Sequence, residues 1–322
     1  MSRWRLGVLT CLLVAAARPA SAQVPAAAGQ VWKTYDISAF VSKAGAGAER
    51  HVVDWILQET GYPAWHGATP SSLSATADTL SCFHDPEMQA RVDDIVARFV
   101  ADAAVQHRFG VRVFGLDGPG WRADARPVLT AVPAATPGVQ AWIAPRETAA
   151  AVVARLRARG DCQELPTGGV LAANGLPATL SGGRRQPYVQ DIAPRPEAWP
   201  GWQMQSAACD EGFALDIQPL LSRDRSAVEA VVRCRIDQLE RMAQVSLAAP
   251  VSQQRVQVEV PQVAAVRVGE RFRWPANQTL FIALGLVPWP VPAQNVSAVA
   301  LLTDDRRCDV VIVVEPRLGG GP

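Results

Sequence analysis

The chain has 322 residues, 49% of them hydrophobic, and its formal net charge is +1. This length and apolar content suit one or two domains with ordinary cores. A charge this close to zero argues against strong attraction to nucleic acids or acidic lipids, so we expect no nucleic-acid partner.

Residues 1–22 have the pattern of a signal peptide. Arg3 and Arg5 form a basic start, residues 6–17 are largely apolar, and Ala20-Ser21-Ala22 supplies the small residues of a cleavage site. The apolar run is too short for a helix that spans a membrane. We therefore expect cleavage directly after this triplet and export of the mature protein, either to the periplasm or in association with the outer membrane.

Residues 28–107 are predicted to form a small α+β domain with the order strand, helix, strand, strand, helix. Residues 31–37 are predicted as the first strand and residues 80–84 as a later one. The first helix covers residues 49–59, where apolar residues recur at helical spacing and predict a buried face. That face carries Val52, Val53, Ile56 and Leu57.

The second helix of this domain has a well-marked start. Asp85 is a favourable N-cap residue, Pro86 suits the first helical position, and Glu87 lies in the first turn. The apolar residues that follow predict one stripe packed on a sheet. This stripe consists of Met88, Val92, Ile95, Val96 and Phe99.

The middle of the chain alternates between short strands and one helix. Residues 109–114 are predicted as a strand, and residues 128–132 and 138–143 as a pair of strands. Pro145 then opens a helix that runs to Arg159. The predicted inner face of this helix carries Val152, Val153 and Leu156.

Strict alternation of side chains dominates the second half of the chain. Residues 211–237 contain two alternating strands, and the polar residues 222–226 join them as a hairpin. Residues 255–260 alternate in the same way. The pattern predicts an antiparallel sheet with one dry face and no catalytic pocket. On that face we expect Phe213, Leu215 and Ile217 to share a core with Val228, Val232 and Ile236.

Four segments in this order resemble the secretin domain of type II and type III secretion systems. They are LAANGLPATLSGGRRQPYV (171–189), EGFALDIQPLLSRDRSAVEAVVRCRI (211–236), RFRWPANQTLFIALGLVP (271–288) and DVVIVVEPRL (309–318). The central match is the run from Gly212 to Pro219. The resemblance covers about half of the chain and implies a β-rich, secretin-like domain with one packed helix.

The resemblance extends to the N-terminal part and carries an expected function. Residues 28–107 are similar to the ring-building domains that precede the secretin domain, and residues 108–318 would be the secretin-like domain, so the fold class is α+β. The family implies a non-catalytic structural subunit of an envelope assembly, with no cofactor. It also implies a homo-oligomer with secretion-system or envelope proteins as partners. The alternative is a periplasmic binding or adaptor module with a secretin-like fold.

One departure from the family concerns the pore. Secretins that form pores carry long amphipathic strands before the helix, and the corresponding span here, residues 113–147, is short and rich in proline. A membrane-crossing strand needs roughly 9–11 alternating residues. The remaining strands are expected to use their apolar side against the helix near Val152. We therefore expect a shortened member that lacks membrane-spanning strands, and membrane association is left open.

No catalytic, cofactor or metal residue is predicted, although three sets of side chains were candidates. His66 and His84, with Cys82 and Asp85, have metal-ligand chemistry, but a turn and a helix start explain both histidines. Two further sets have simple structural interpretations. Asp216 and Asp237 could pair as carboxylates but fall on the polar side of their strands, where we expect solvated side chains. Trp274 and Trp289 could stack on a sugar, but we expect them to cover a sheet edge.

Five cysteines follow the predicted cleavage site: Cys82, Cys162, Cys209, Cys234 and Cys308. Export permits disulfides. Because the number of cysteines is odd, at least one thiol is expected to be unpaired or to pair with another chain. Cys209 and Cys234, on the predicted hairpin, are the favoured pair. The alternative is that all five are small buried residues on strands.

Overall fold

The structure, a computed structural model, describes residues 29–67, 70–103, 105–165, 167–249, 254–289 and 307–318. The predicted signal peptide, residues 1–22, lies outside the described residues. The predicted α+β class is confirmed, since short helices accompany several antiparallel sheets. The division into residues 28–107 and 108–318 stays a prediction.

The N-terminal lobe contains a three-stranded sheet with the strand order β1-β3-β2. The predicted order of elements is found, with two additional short helices, α1 and α3. The elements are β1 (Val31–Asp36), α1 (Ser38–Ala44), α2 (Glu49–Thr60), α3 (Tyr62–Trp65), β2 (Ser72–Ala75), β3 (Thr79–His84) and α4 (Pro86–Ala101).

Helix α4 begins as predicted. The backbone N–H of Met88 donates to the Asp85 carboxylate at 2.8 Å, and Pro86 occupies the first turn. The predicted apolar stripe of α4 is buried against α1, α2 and the sheet. On α2, Val52 and Ile56 are buried as expected, and Trp55, which is not part of the predicted apolar face, is also fully enclosed.

The rest of the chain forms two larger sheets. Its elements are β4 (Gln106–Leu116), α5 (Trp121–Ala125), β5 (Thr130–Val132), β6 (Gln140–Pro145), α6 (Arg146–Arg157), β7 (Cys162–Glu164), β8 (Gly169–Ala173), β9 (Ala178–Pro194), β10 (Trp202–Leu221), β11 (Ala227–Ala248), β12 (Arg255–Pro275), β13 (Gln278–Pro288) and β14 (Arg307–Arg317). A seven-stranded sheet has the order β5-β6-β13-β14-β4-β7, with β8 also paired to β4, and a four-stranded sheet has the order β12-β11-β10-β9.

The two sheets pack face to face, and the predicted hairpin core lies between them. Phe213, Leu215 and Ile217 are buried with Val228, Val232 and Ile236, as predicted. They also meet residues of β13 and β14 from the opposite sheet. Alternation along β10 and β11 therefore identified the correct inner face.

The predicted partner of that face was wrong. Val152, Val153 and Leu156 of α6 pack on the other side of the seven-stranded sheet, against Phe281, Val311 and neighbouring residues, together with α5. The apolar side of the hairpin is therefore used against a second sheet and not against the helix. The sequence does not distinguish these partners, because helix and sheet present similar apolar surfaces.

The expectation of a single dry face is also wrong for β10 and β11. Leu220 and Val231 point away from the inter-sheet core and join the core of the N-terminal lobe. Glu229, on the same side, is only 3% exposed. The N-terminal lobe covers this surface, so both sides of the hairpin are buried near its turn.

Candidate assembly surface

The four-stranded sheet has unusually long strands. Strands β9, β10, β11 and β12 contain 17, 20, 22 and 21 residues. At about 3.3 Å per residue, a strand of this kind is on the order of 70 Å long. In the described part of the chain, β9 and β12 each pair with only one neighbour. The sheet therefore has two long outer edges.

The sheet divides into two hairpins partway along its strands. Pairing between β10 and β11 ends at Gly212 opposite Asp237, whereas β9–β10 pairing continues to Trp202 opposite Pro194. Pairing between β11 and β12 likewise continues to the far end of both strands. We call the paired half near the β10–β11 turn the proximal half and the two separate hairpins the distal half.

Glycines allow the backbones to cross closely at this division. A Cβ atom on Gly183 would collide with the carbonyl oxygen of Glu211, and one on Gly212 would collide with the carbonyl oxygen of Gly182. Gly212 also has a φ of 136°, which L side chains rarely adopt. Glycine is therefore required for both space and conformation at this point of β10.

Charged side chains surround the point of division, where a cavity of about 400 Å³ opens. Glu211 is 7% exposed, and its nearest basic contact is the Arg184 guanidinium at 3.4 Å. Burial raises the pKa of Glu211, while Arg184 opposes that rise. Sequence alternation alone does not reveal that this ionisable side chain is buried.

Asp237 corrects another prediction at the same place. Its side chain was expected on a solvated face, but the residue is 8% exposed and its carboxylate accepts from Arg235 at 2.5 Å and Arg267 at 2.6 Å. Burial acts to raise the pKa of Asp237, yet the two arginines hold it below its usual value. Asp216 is half-buried and accepts a hydrogen bond from Thr179 at 2.6 Å. The two carboxylates have separate partners.

Prolines indicate which backbone groups face the outer edges. Pro187 lies in β9 and Pro261 in β12, and proline is tolerated in a strand where its missing N–H would face away from the neighbouring strand. Residues two positions away have the same orientation. Val189 agrees with this assignment, because its N–H donates to the Glu259 carboxylate of β12 at 3.0 Å.

The distal hairpin of β11 and β12 is amphipathic. Val256 and Val258 are buried, whereas Val245, Leu247 and Val260 are 41%, 36% and 46% exposed. These five lie on one side, because Val256 faces Leu247 and Val258 faces Val245 across the ladder. Glutamine, serine and glutamate alternate with them on the other side.

These strands remove the length argument against membrane crossing. Residues 113–147, where the family's long strands would lie, contain β5 and β6, which have only three and six residues. The long alternating strands lie instead in residues 178–275. No helix in the described part of the chain is long and apolar enough to span a membrane.

Ion pairs join the N-terminal lobe to the proximal half, and the pair of Arg98 and Glu229 is buried. The Arg98 guanidinium of α4 is 6% exposed and contacts the Glu229 carboxylate of β11. Glu229 also contacts Arg271 at 3.2 Å, and Arg225 binds Asp102 at 2.5 Å. Together these contacts hold the lobe and the hairpin in one arrangement.

The histidine candidates are not brought together as a metal site. His66 is exposed and stacks on Tyr62. His84 is buried, with Nε2 3.1 Å from the carbonyl oxygen of Ala64 and Nδ1 3.0 Å from the Asp85 carboxylate. Among the described residues, no group of three or more histidine, cysteine or acidic side chains could hold a metal ion. The prediction that the protein is not an enzyme stays a prediction.

The tryptophan candidates lie in the core between the sheets. Trp274 is 1% exposed and Trp289 is 6% exposed. Neither offers an open ring face on which a sugar could stack. Their positions fit packing within the sandwich and not a binding surface.

The favoured disulfide does not form. The ladder places Leu215, not Cys209, opposite Cys234. Cys209 is six residues further along β10, or roughly 20 Å, far beyond the Cα separation of a disulfide. Cys82, Cys162, Cys209 and Cys234 are not in disulfides.

Comparison with known proteins gives similarity only at the level of solved structures. No family model and no curated protein matches the chain. The secretin domain of InvG from the Salmonella SPI-1 injectisome is 11% identical, with 78% of this chain and 74% of that chain covered and a TM-score of 0.31. Aeromonas hydrophila ExeD is 10% identical, with 89% and 60% covered and a TM-score of 0.29.

The Vibrio cholerae type IV competence pilus secretin PilQ is 11% identical, with 90% of this chain and 77% of that chain covered and a TM-score of 0.28. The three structures described here, those of InvG, ExeD and PilQ, are secretins or parts of secretins. At these identities and TM-scores the similarity is no argument for a function.

Proposed function

We propose that the protein is a non-catalytic structural subunit of a secretin-type envelope assembly. In this proposal residues 1–22 direct export, and the mature chain acts in the periplasm or at the outer membrane. Residues 28–107 and 108–318 serve as the ring-building and secretin-like parts. Copies assemble by pairing β9 of one subunit with β12 of the next, and other envelope proteins bind the resulting oligomer.

The observation that carries this proposal is the pair of outer edges on the four-stranded sheet. A subunit with two different edges can join its neighbours head to tail, and such contacts close into a ring when the rotation permits. The four strands alternate in direction, so β9 and β12 run oppositely. Subunits in the same orientation would therefore continue the antiparallel pattern across every junction.

The rigid attachment of the N-terminal lobe supports the same function. Arg98 and Glu229 couple the lobe to β11, and Leu220 and Val231 share its core. Any ring formed by the sheets would carry the N-terminal lobes at fixed positions. Strand length gives no reason to exclude membrane crossing, so a lack of membrane-spanning strands is not part of the proposal.

The edge contact can be tested with adjacent proline substitutions in β12. Ala265 is two positions from Val263 and four from Pro261, so its N–H faces the outer edge, whereas the N–H of Ala264 faces β11. We expect Ala265→Pro to leave the subunit folded and to raise the concentration for half-assembly at least about tenfold, since it removes an N–H and adds bulk at the junction. Ala264→Pro should instead destabilise the subunit itself.

Sedimentation velocity and negative-stain microscopy of the mature chain would measure the outcome. Rings in the wild type that Ala265→Pro abolishes would support the proposal. A wild type that stays monomeric at every concentration, in buffer and in detergent, would contradict it. A monomer that also binds a ligand in the cavity near Glu211 would favour the binding or adaptor alternative.

A further inference from the structure

The two outer strands of the four-stranded sheet meet at their distal ends. Val189 of β9 donates its backbone N–H to the side chain of Glu259 in β12 at 3.0 Å. Yet β9 and β12 form no backbone ladder in the residues that the structure describes. The sheet therefore curls until its outer edges touch, without closing.

A small apolar cluster accompanies this contact. Ile192 of β9 packs with Val256 and Val258 of β12, and Val189 and Trp202 lie against them. This cluster is separate from the large core between the two sheets. It is the only hydrophobic cluster among the described residues that joins the distal ends of the two hairpins.

The Glu259 carboxylate occupies the place of a neighbouring strand. The Val189 N–H faces the outer edge of β9, where a strand from another copy would supply a carbonyl oxygen. A carboxylate accepts this hydrogen bond within the same chain, and a charge at a strand edge also hinders pairing with another strand. The contact thus joins, within one subunit, the distal parts of both edges that assembly would need.

We propose that the contact between Glu259 and Val189, with its apolar cluster, is an autoinhibitory cap that keeps single copies apart until it opens. This inference rests on the proposed function, because it concerns regulation of the same edges. Opening need not break the sheet, since β10 and β11 are already unpaired beyond Gly212.

Three substitutions in β12 separate the cap from a general effect of charge. Glu259→Ala removes the acceptor, and Glu259→Gln keeps a carbonyl acceptor without the charge. Gln257→Ala is the matched control, because Gln257 is exposed and lies two positions away with the same backbone orientation. Each variant is made in the full mature chain, with Ala265→Pro measured beside them.

Two measurements are needed. Hydrogen exchange of peptides covering residues 187–192, at a concentration where the chain is monomeric, reports whether the cap is present. Sedimentation velocity over a concentration series reports assembly. We expect Glu259→Ala to speed the exchange and to lower the concentration for half-assembly by about tenfold. Glu259→Gln and Gln257→Ala should both behave like the wild type.

The outcomes distinguish the cap from the assembly itself. Unchanged exchange in Glu259→Ala would overturn the cap, and so would faster exchange with unchanged assembly. If Glu259→Gln assembles as readily as Glu259→Ala, charge and not capping controls the edge, and the cap is again wrong. In these cases the proposed function is still supported if the wild type assembles and the Ala265→Pro variant does not. If neither the wild type nor any variant assembles, both proposals fail.

Discussion

The proximal and distal halves of the four-stranded sheet are built from the same strands, yet their surroundings differ. In the proximal half, Leu215 is 1% exposed and Val231 on the opposite side is 5% exposed. In the distal half, Leu247 of β11 is 36% exposed although it alternates with polar residues in the same way. Alternation therefore identifies the two sides of a strand, and tertiary packing decides what covers each side.

The largest expected difference concerns the buried ion pair of the proximal half. Glu229→Ala should reduce the free energy of unfolding by about 3–5 kcal/mol, because it removes the buried carboxylate of the pair and leaves the Arg98 guanidinium only longer contacts, to Glu59 at 3.4 Å and Asp94 at 3.8 Å. Urea denaturation measures this loss. The exposed pair of Glu87 and Arg91 is the control, and Glu87→Ala should cost less than about 1 kcal/mol. Equal losses would mean that the N-terminal lobe does not seal this side of the sheet.

The same substitution in each half tests the inner packing. Leu215→Ala should cost about 2–5 kcal/mol, because Leu215 is enclosed between two sheets and its removal leaves a cavity. Leu247→Ala and Asp216→Ala should both fall near ±0.5 kcal/mol, as is typical of substitutions away from a core. Chemical denaturation of the three variants gives the comparison. A similar loss from Leu215→Ala and Asp216→Ala would show that the strand orientation is wrong.

The boundary between the halves depends on glycine. Gly183→Ala should reduce stability by about 1–3 kcal/mol, since the new methyl group would collide with the backbone of β10. Gly269 in β12 is the control: the nearest atom to an added Cβ would be Arg233 Cγ at 4.0 Å. Gly269→Ala should therefore leave the midpoint of thermal unfolding almost unchanged. A harmless Gly183→Ala would mean that the hairpins do not need this close crossing.

The smallest expected effect is a dependence of folding stability on pH, which we expect from His107. His107 of β4 is fully buried, and neither ring nitrogen has a hydrogen-bond partner in the described structure. Burial lowers the pKa of His107 below its ordinary value of 6.5, with Asp102 opposing and Arg225 assisting that change. The unfolded chain then binds a proton at a higher pH than the folded chain.

The contribution of His107 to stability is therefore present above about pH 6.5 and lost as the pH falls through this value toward the lowered pKa. We expect His107→Leu to lose less stability than the wild type between pH 7 and pH 5, as measured by urea denaturation at each pH. Parallel pH profiles for the two proteins would rule out this role of the imidazole.

Local sequence signals predicted the elements well where a single capping residue, or the periodicity of side chains within one segment, determines the structure. Asp85 and Pro86 locate the start of α4, because capping depends only on nearby backbone groups. The phase of Phe213, Leu215 and Ile217 was likewise correct. The length of β10 was not, because residues 202–210 lack a strongly apolar side and are held in the sheet by their ladder with β9.

The candidate surface was only partly predictable. A homo-oligomer was expected from the family resemblance, but which strands lie at the sheet edges depends on strand order, and side-chain periodicity carries no information about strand order. The Val189–Glu259 contact joins residues 70 positions apart in the chain. The same limitation explains the wrong disulfide, since the register between β10 and β11 separates Cys209 from Cys234.

The sequence by itself determined the local features of this protein: the α+β class, the capped helix α4, the hairpin turn after Leu221 and the inner face of β10. Each follows from backbone conformation and side-chain period over a few residues. Only the tertiary structure decided that a second sheet and not α6 covers that face, that Glu229 and Asp237 are buried, and that the sheet divides at Gly212. These features depend on contacts between distant segments, and apolar surfaces of helices and sheets attract one another without regard to sequence order.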